Sequence, residues 1–340
     1  MSDYNFEISL RPVEHYFFGG ERTFNRAGDD KSSFYAVSNL YPQQTTLLGL
    51  LRYLLLEQNN LLPLSDQPEY IVEQTIGKAS FRTHAREAQQ FGHIKALAPL
   101  LLRKGGAYYR IGHELANDAY SNPDHGDQVL TADGLRDGAP KLNNYKAKEG
   151  LPLKAISLEM TDTAVDFNCI FREQEHIGIL KQSTEEGFFK QKVYSLHQGW
   201  HFSLFARLEG DFKLHDGLVR FGADQKLFYV TVRKVSAADQ PHWGHVAGES
   251  GSLTLLSDAK VGPDIYKHCR FAISSMTDFR TVRMGFKGSR FAKDGIKTNL
   301  LRRGSVLFAK AGQLQELTKT LNANLNYRQI GFNQYFISKT

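Results

Sequence analysis

Seven of the ten residues from Leu47 to Leu56 are leucine, interrupted only by Gly49, Arg52 and Tyr53. The run is too short to span a bilayer and too apolar to lie on a water-facing surface. It therefore predicts a deeply packed helix. Thr45 or Thr46 stands where an N-cap belongs, and Asn59 and Asn60 mark the stop after Gln58. Leu47, Leu51, Leu54 and Leu55 form one stripe at helical spacing, which Leu48, Leu50 and Leu56 widen. Gly49 costs such a helix about 1 kcal/mol relative to alanine. A glycine at that position points to close approach of another backbone, of protein or of ligand.

Away from this helix the chain reads mostly as strands. Phe6, Ile8 and Leu10 alternate with polar neighbours, the period of a half-buried strand. The following FFGGERTF (17–24) reads as an aromatic, glycine-rich loop. Residues 187–208 predict a hairpin turning at His197, Gln198 and Gly199, and VRFGADQK (219–226) a glycine turn ahead of a strand over 226–235. At the end come a strand (GSVLFAK), a helix (QLQELTKTL) and a closing strand (RQIGFNQYFI). Residues 117–150 are polar and rich in turn formers, which predicts a long mobile excursion. Few helices and many strands place the fold in the α+β class with antiparallel sheet.

Much chemistry is excluded. Two cysteines, Cys169 and Cys269, make neither a disulfide framework nor a zinc ribbon and suit a reducing cytosol. The N-terminal MSDYNFEISL lacks a basic segment followed by an apolar run, so the expectation is a soluble cytoplasmic protein with no membrane role. IGKAS (76–80) has Val72 where a P-loop needs its first glycine, and no dinucleotide fingerprint is present. His242 and His245 have metal-like spacing but no glutamate or cysteine partners, which reads as an exposed loop. GFKG (285–288) lacks the flanking helices of a KH fold. No cofactor, metal or catalytic constellation is expected.

With 42 Lys and Arg against 36 Asp and Glu, the net charge of +6 is modest, so any nucleic-acid surface must be local. From 78 to 110 seven basic residues face only Glu87. From 280 to 310 nine basic residues face only Asp294; they include Arg280, Arg283, Lys287, Arg290, Arg302 and Arg303. Phe279, Phe286 and Phe291 are interleaved with them, and four glycines let a phosphate approach the backbone. Cations, rings and flexible backbone together suit a single RNA strand; a solvated basic loop is the alternative. Arg22 is a phosphate candidate within a segment whose phenylalanines equally serve as anchors. Thr45 and Thr46 serve either a phosphate at the helix start or simple capping.

The order of these motifs is more specific than any one of them. A strand, FFGGERTF, a Y-P-x-x-T-T-x-x-G-x-x-R helix (Tyr41, Pro42, Thr45, Thr46, Gly49, Arg52), FGHIKALAPLLLRKGGAYYRIG (91–112), HIGILKQSTEEGFFKQKVYSL (176–196), FGADQK and RRGSVLF (302–308) follow one another. This series resembles the RAMP family of CRISPR effector proteins, in particular the Cmr subunit of type III-B systems that pairs with the large polymerase-like subunit and holds the guide RNA 5′ tag. His176 stands where the family usually has arginine, and Gly222 and Asp224 where a double glycine and a glutamate are usual. The resemblance implies two ferredoxin-like (RRM-like) domains with long inserted loops, 1–165 and 166–340, the first carrying the 117–150 insertion. It implies no nuclease activity. Its partners would be CRISPR guide RNA, target RNA in the assembled complex, the large subunit and the backbone RAMP subunits. The contacts would fall on Arg22, Thr45, Thr46, Arg52, Gly222 and the basic run. A RAMP endoribonuclease using a histidine such as His15 or His197 is the competing expectation.

Overall fold

In the computed structural model, described residues are 4–24, 34–78, 80–85, 87–113, 153–159, 163–180, 187–241, 251–279 and 298–338, with strand segments between them. The architecture is α+β and, with one exception, every described ladder is antiparallel. Nine strands form the main sheet: β1 (Phe6–Pro12), β4 (Ile94–Leu97), β5 (Leu101–Lys104), β6 (Ala107–His113), β11 (Leu153–Ser157), β12 (Ala164–Asp166), β15 (Trp200–Leu208), β16 (Gly217–Phe221) and β17 (Lys226–Lys234). Their order is β12-β11-β6-β5-β15-β1-β17-β16, with β4 also on β15.

The leucine-rich segment forms α1 (Gln44–Glu57), packed with the short α2 (Glu69–Ile76) on one face of this sheet. Its leucines share a core with Ile8, Leu10, Phe202 and Phe228. The N-cap is Gln43, in extended backbone and without a side-chain cap, not Thr45 or Thr46 as expected. Gln44 is instead buried and donates to the Ala98 and Ile330 carbonyls, so this helix start is fixed by tertiary contacts.

β1 is not half-buried. It lies between β15 and β17, and the polar residues of its second face are buried too. Glu7, 1% exposed, accepts from Arg103 (3.1 Å), Tyr108 (2.9 Å) and Ser203 (2.9 Å) on one oxygen. Its other oxygen accepts from Arg233 Nε (3.1 Å) and Nη2 (2.8 Å). Burial and then the Glu7 charge push the Tyr108 phenol up to about 12. A buried carboxylate survives because five donors replace its water.

A second sheet has the order β13-β14-β3-β2, from β2 (Phe18–Phe24), β3 (Phe34–Asn39), β13 (Phe171–Leu180) and β14 (Gly187–Leu196), with β3 and β14 parallel. FFGGERTF is therefore a bulged strand and not a loop. Gly20 permits it, because a Cβ there would run into the Val37 carbonyl. The expected 187–208 hairpin is also corrected. Its turn at 197–199 forms, but β14 pairs with β13 and β3 while β15 joins the main sheet.

The third sheet, β19-β24-β18-β25, uses β18 (Ser252–Leu255), β19 (Cys269–Ile273), β24 (Val306–Ala309) and β25 (Tyr335–Ser338). Helix α3 (Leu314–Asn322) lays Leu317 and Leu321 into a core with Leu253, Leu255 and Leu307. Helix α4 (Leu325–Gln329) occupies the start of the segment read as a closing strand. Beside this sheet β20 (Met276–Phe279) pairs with β23 (Thr298–Leu301), and β21 (Val282–Arg283) with β22 (Ala292–Lys293). The main sheet draws strands from both sides of residue 165, with β1 held between β15 and β17.

Within 117–150 only short ladders are described, β7 (Tyr120–Ser121) with β10 (Lys141–Leu142) and β8 (Val129–Thr131) with β9 (Gly134–Arg136); the remainder of that segment lies outside the described residues. Among the described residues no helix is long and apolar enough to cross a membrane.

Candidate nucleic-acid interface

Three chain segments converge where β1 ends. The first carries Glu14 and His15 on the way to β2. The second is the β13–β14 ladder, in which His176 is directly opposite Gln191. The third is the FGADQK turn between β16 and β17. Gly222 turns there at φ 89°, and a Cβ would sit 2.7 Å from the Phe17 carbonyl, so only glycine fits comfortably. The next N–H, of Ala223, donates to that carbonyl at 3.0 Å and ties the turn to the β1–β2 connection.

The side chains brought together are polar and partly exposed. The His15 and His176 rings meet edge to face, centroids 4.1 Å apart. Lys226 lies 3.6 Å from Glu14, and Gln191 donates to Asp224 at 2.8 Å. Desolvation, then Lys226, then His176 hold the His15 imidazole below its usual value. The glycine turn at Gly222 is visible in the sequence, whereas the histidine contact has no local pattern. His197 stands apart, its backbone N–H donating to the Ile170 carbonyl.

The α1 candidates share a second surface. Thr45, Gly49 and Arg52 recur at helical spacing on one side of α1, largely opposite Leu47, Leu50, Leu51 and Leu54. Thr45, Thr46 and Arg52 are half-buried; Gly49 is exposed, with no atom within 4 Å of where its Cβ would be. Among the described residues no protein backbone approaches Gly49, so of the two expected neighbours, protein or ligand, the glycine leaves surface open to the second. Burial lowers the Arg52 guanidinium to about 10, and it lies over the Phe91 ring at 5.2 Å.

The basic run divides. Arg280, Lys287 and Arg290 lie outside the described residues, as do the side chains of Arg22 and Arg283, although β2 and β21 place their backbones. Arg302 is exposed. Arg303 corrects the expectation: it is 2% exposed, its guanidinium stacks over Tyr41 at 4.3 Å and its backbone N–H donates to Asp258. It is a core cation, closed to RNA. The 78–110 run is likewise partly structural, since Arg103 serves Glu7 and Arg110 is held over Phe336. His242, His245 and GFKG lie outside the described residues. Among the described residues no group of three His, Cys, Asp or Glu is placed to hold a metal.

Comparison with known proteins gives one family. The model described as CRISPR-associated protein (Cas_Cmr3) matches residues 8–340. A search of curated protein sequences finds no match. Among solved structures, the type III-B Cmr-beta complex bound to cognate target RNA contains a chain with TM-score 0.55 and 12% identity, covering 98% of this chain and 99% of that one. The same complex with target RNA and AMPPnP gives the same values. At that identity the likeness is one of fold.

Proposed function

The chain belongs to the CRISPR-associated Cas_Cmr3 family, and from that premise we propose that this RAMP-family Cmr subunit holds RNA and a larger partner together in a type III-B interference complex without cutting RNA itself. The observation that carries the reading is the family match across residues 8–340. The geometry supports it with two partly exposed surfaces, the Gly222 junction with its polar and cationic side chains and the Thr45–Gly49–Arg52 face, where Gly49 leaves open backbone. In this reading the RNA is the guide, gripped at its 5′ tag, with target RNA present once the complex assembles. The protein partners are the large polymerase-like subunit and the backbone RAMP subunits. This reading keeps the two ferredoxin-like units, 1–165 and 166–340, that the family resemblance implies.

The basic run supplies the test. Replacing Arg283, Lys287 and Arg290 together by alanine should weaken guide RNA binding and reduce its salt slope by about 0.7 per lost phosphate contact. An unchanged slope would remove 283–290 from the interface.

One observation favours a second reading. His15, His176 and Lys226 meet at one junction, the constellation an endoribonuclease would need. Their arrangement argues for holding instead: rings in edge contact leave no gap between them for a scissile phosphate, and Lys226 is drawn to Glu14. Precursor RNA incubated with the protein, with and without a divalent metal, decides the matter. Specific cleavage lost in His15→Ala or His176→Ala, where a general acid or base contributes about a hundredfold or more, would establish the nuclease.

A further inference from the structure

Among the described residues neither imidazole at the Gly222 junction bonds to an acid. Glu14 and Asp224 are the carboxylates facing them, and each is already engaged, Glu14 by Lys226 and Asp224 by Gln191. Along β13 and β14 alternate side chains point to opposite faces. Glu173, Glu175, Lys190 and Lys192 fall on the face away from His176, where they pair as Lys192–Glu173 and Lys190–Glu175, both at 2.7 Å. Among the described residues neither ring has a hydrogen bond or an ion pair, yet both are partly exposed. Protonating this pair in the free protein places cations together beside Lys226, while the nearby Glu14 and Asp224 are held by Lys226 and Gln191.

Resting on the RNA-holding reading above, we propose that His15, His176 and Lys226 form a proton-linked site for a backbone phosphate of single-stranded RNA. A phosphodiester seated over the pair accepts N–H bonds from both imidazoles and the charge of Lys226. Its negative charge favours the protonated form of both rings. Docking therefore takes up protons from solvent, and no covalent bond is made or broken. The anion raises the histidines' affinity for protons, so RNA binding strengthens as pH falls from about 8 towards about 6 and weakens as it rises. A lysine or arginine in their place would grip at every pH. Two histidines make the grip conditional.

The test uses the full chain and a labelled single-stranded RNA oligonucleotide, with affinity measured by anisotropy at constant ionic strength between about pH 5.5 and pH 8. Wild-type affinity should fall with rising pH by up to about tenfold per pH unit for each linked proton. His15→Ala and His176→Ala should each bind less tightly than wild type at the acid end and show a shallower pH dependence. His176→Arg, carrying a permanent charge, should bind tightly at the alkaline end with a flatter profile. The Cε1 proton resonances of His15 and His176 should titrate at higher pH with RNA bound than without. A wild-type profile that is flat, or a slope that persists in both alanine variants, would overturn the site, as would imidazoles whose titration ignores RNA. Failure of the wild type to bind RNA at any pH would sink the RNA-holding reading itself. Binding with no pH dependence would sink only this site.

Discussion

Glu7 lies inside β1 and His15 three residues beyond its end, yet the charged groups around them are opposites. The Glu7 carboxylate is shut from water and receives five hydrogen bonds from four side chains. The His15 ring, partly exposed, touches another ring and binds no carboxylate among the described residues. A group whose bonds are all made inside the protein stabilises the fold and has nothing left for a ligand. A group whose neighbours are engaged elsewhere adds little to stability and is free to meet an anion. Arg303 and Arg302, adjacent in sequence, repeat the contrast between a core cation and an exposed one.

Substitutions can break that contrast. Glu7→Ala should have the largest effect, because Tyr108 and Ser203 lose a buried acceptor while two guanidiniums lose their counter-charge. We expect a loss of about 2–4 kcal/mol in urea unfolding, with RNA affinity of the folded fraction unaltered. A loss below about 1 kcal/mol would show that the Glu7 cluster is as dispensable to the fold as an ordinary surface site. Gly222→Ala comes next. The positive φ and the nearby Phe17 carbonyl should cost about 1–3 kcal/mol, and displacement of Asp224 and Lys226 should weaken RNA binding as well. Full affinity in a stable Gly222→Ala protein would detach the junction from RNA.

Gly49→Ala should act in the opposite direction on the two measurements. With open space at its Cβ, alanine should raise helix stability by about 1 kcal/mol, while RNA affinity falls if a sugar–phosphate backbone approaches that face. A gain in stability with unchanged affinity would assign the surface to something other than RNA. The smallest effect belongs to His15→Ala, within about 0.5 kcal/mol near neutral pH. The folded-state value of His15 is below 6.5, so the unfolded chain binds the proton more readily and folding is penalised as pH falls through that range. His15→Ala should remove the penalty, so the variant should lose less stability than wild type on acidification. An identical acid limb in the two unfolding curves would contradict this assignment.

Legibility in the sequence followed the range of the forces. The α1 helix was plain because seven leucines at helical spacing need no partner to declare their period, and the Gly222 turn because a left-handed residue constrains only its neighbours. Its cap was misplaced because Gln44 bonds to Ala98 and Ile330, far away in the chain. FFGGERTF looked like a loop because glycine weakens an isolated strand, and only the closeness of β3 makes it necessary in this one. The 197–199 turn was correct and its hairpin was not, because a turn reverses the chain without choosing which sheet each arm joins.

The sequence by itself determined the apolar helix, the prevalence of strands, the α+β class and the order of motifs that marks the family. Tertiary structure alone decided the fate of each charge. It buried Glu7 among its donors and Arg303 over Tyr41, and it carried His176 to His15 from the other half of the chain. Hydrophobic period is a property of neighbouring residues, whereas desolvation and charge pairing depend on strand register and sheet order, which bring together residues with no relation along the chain.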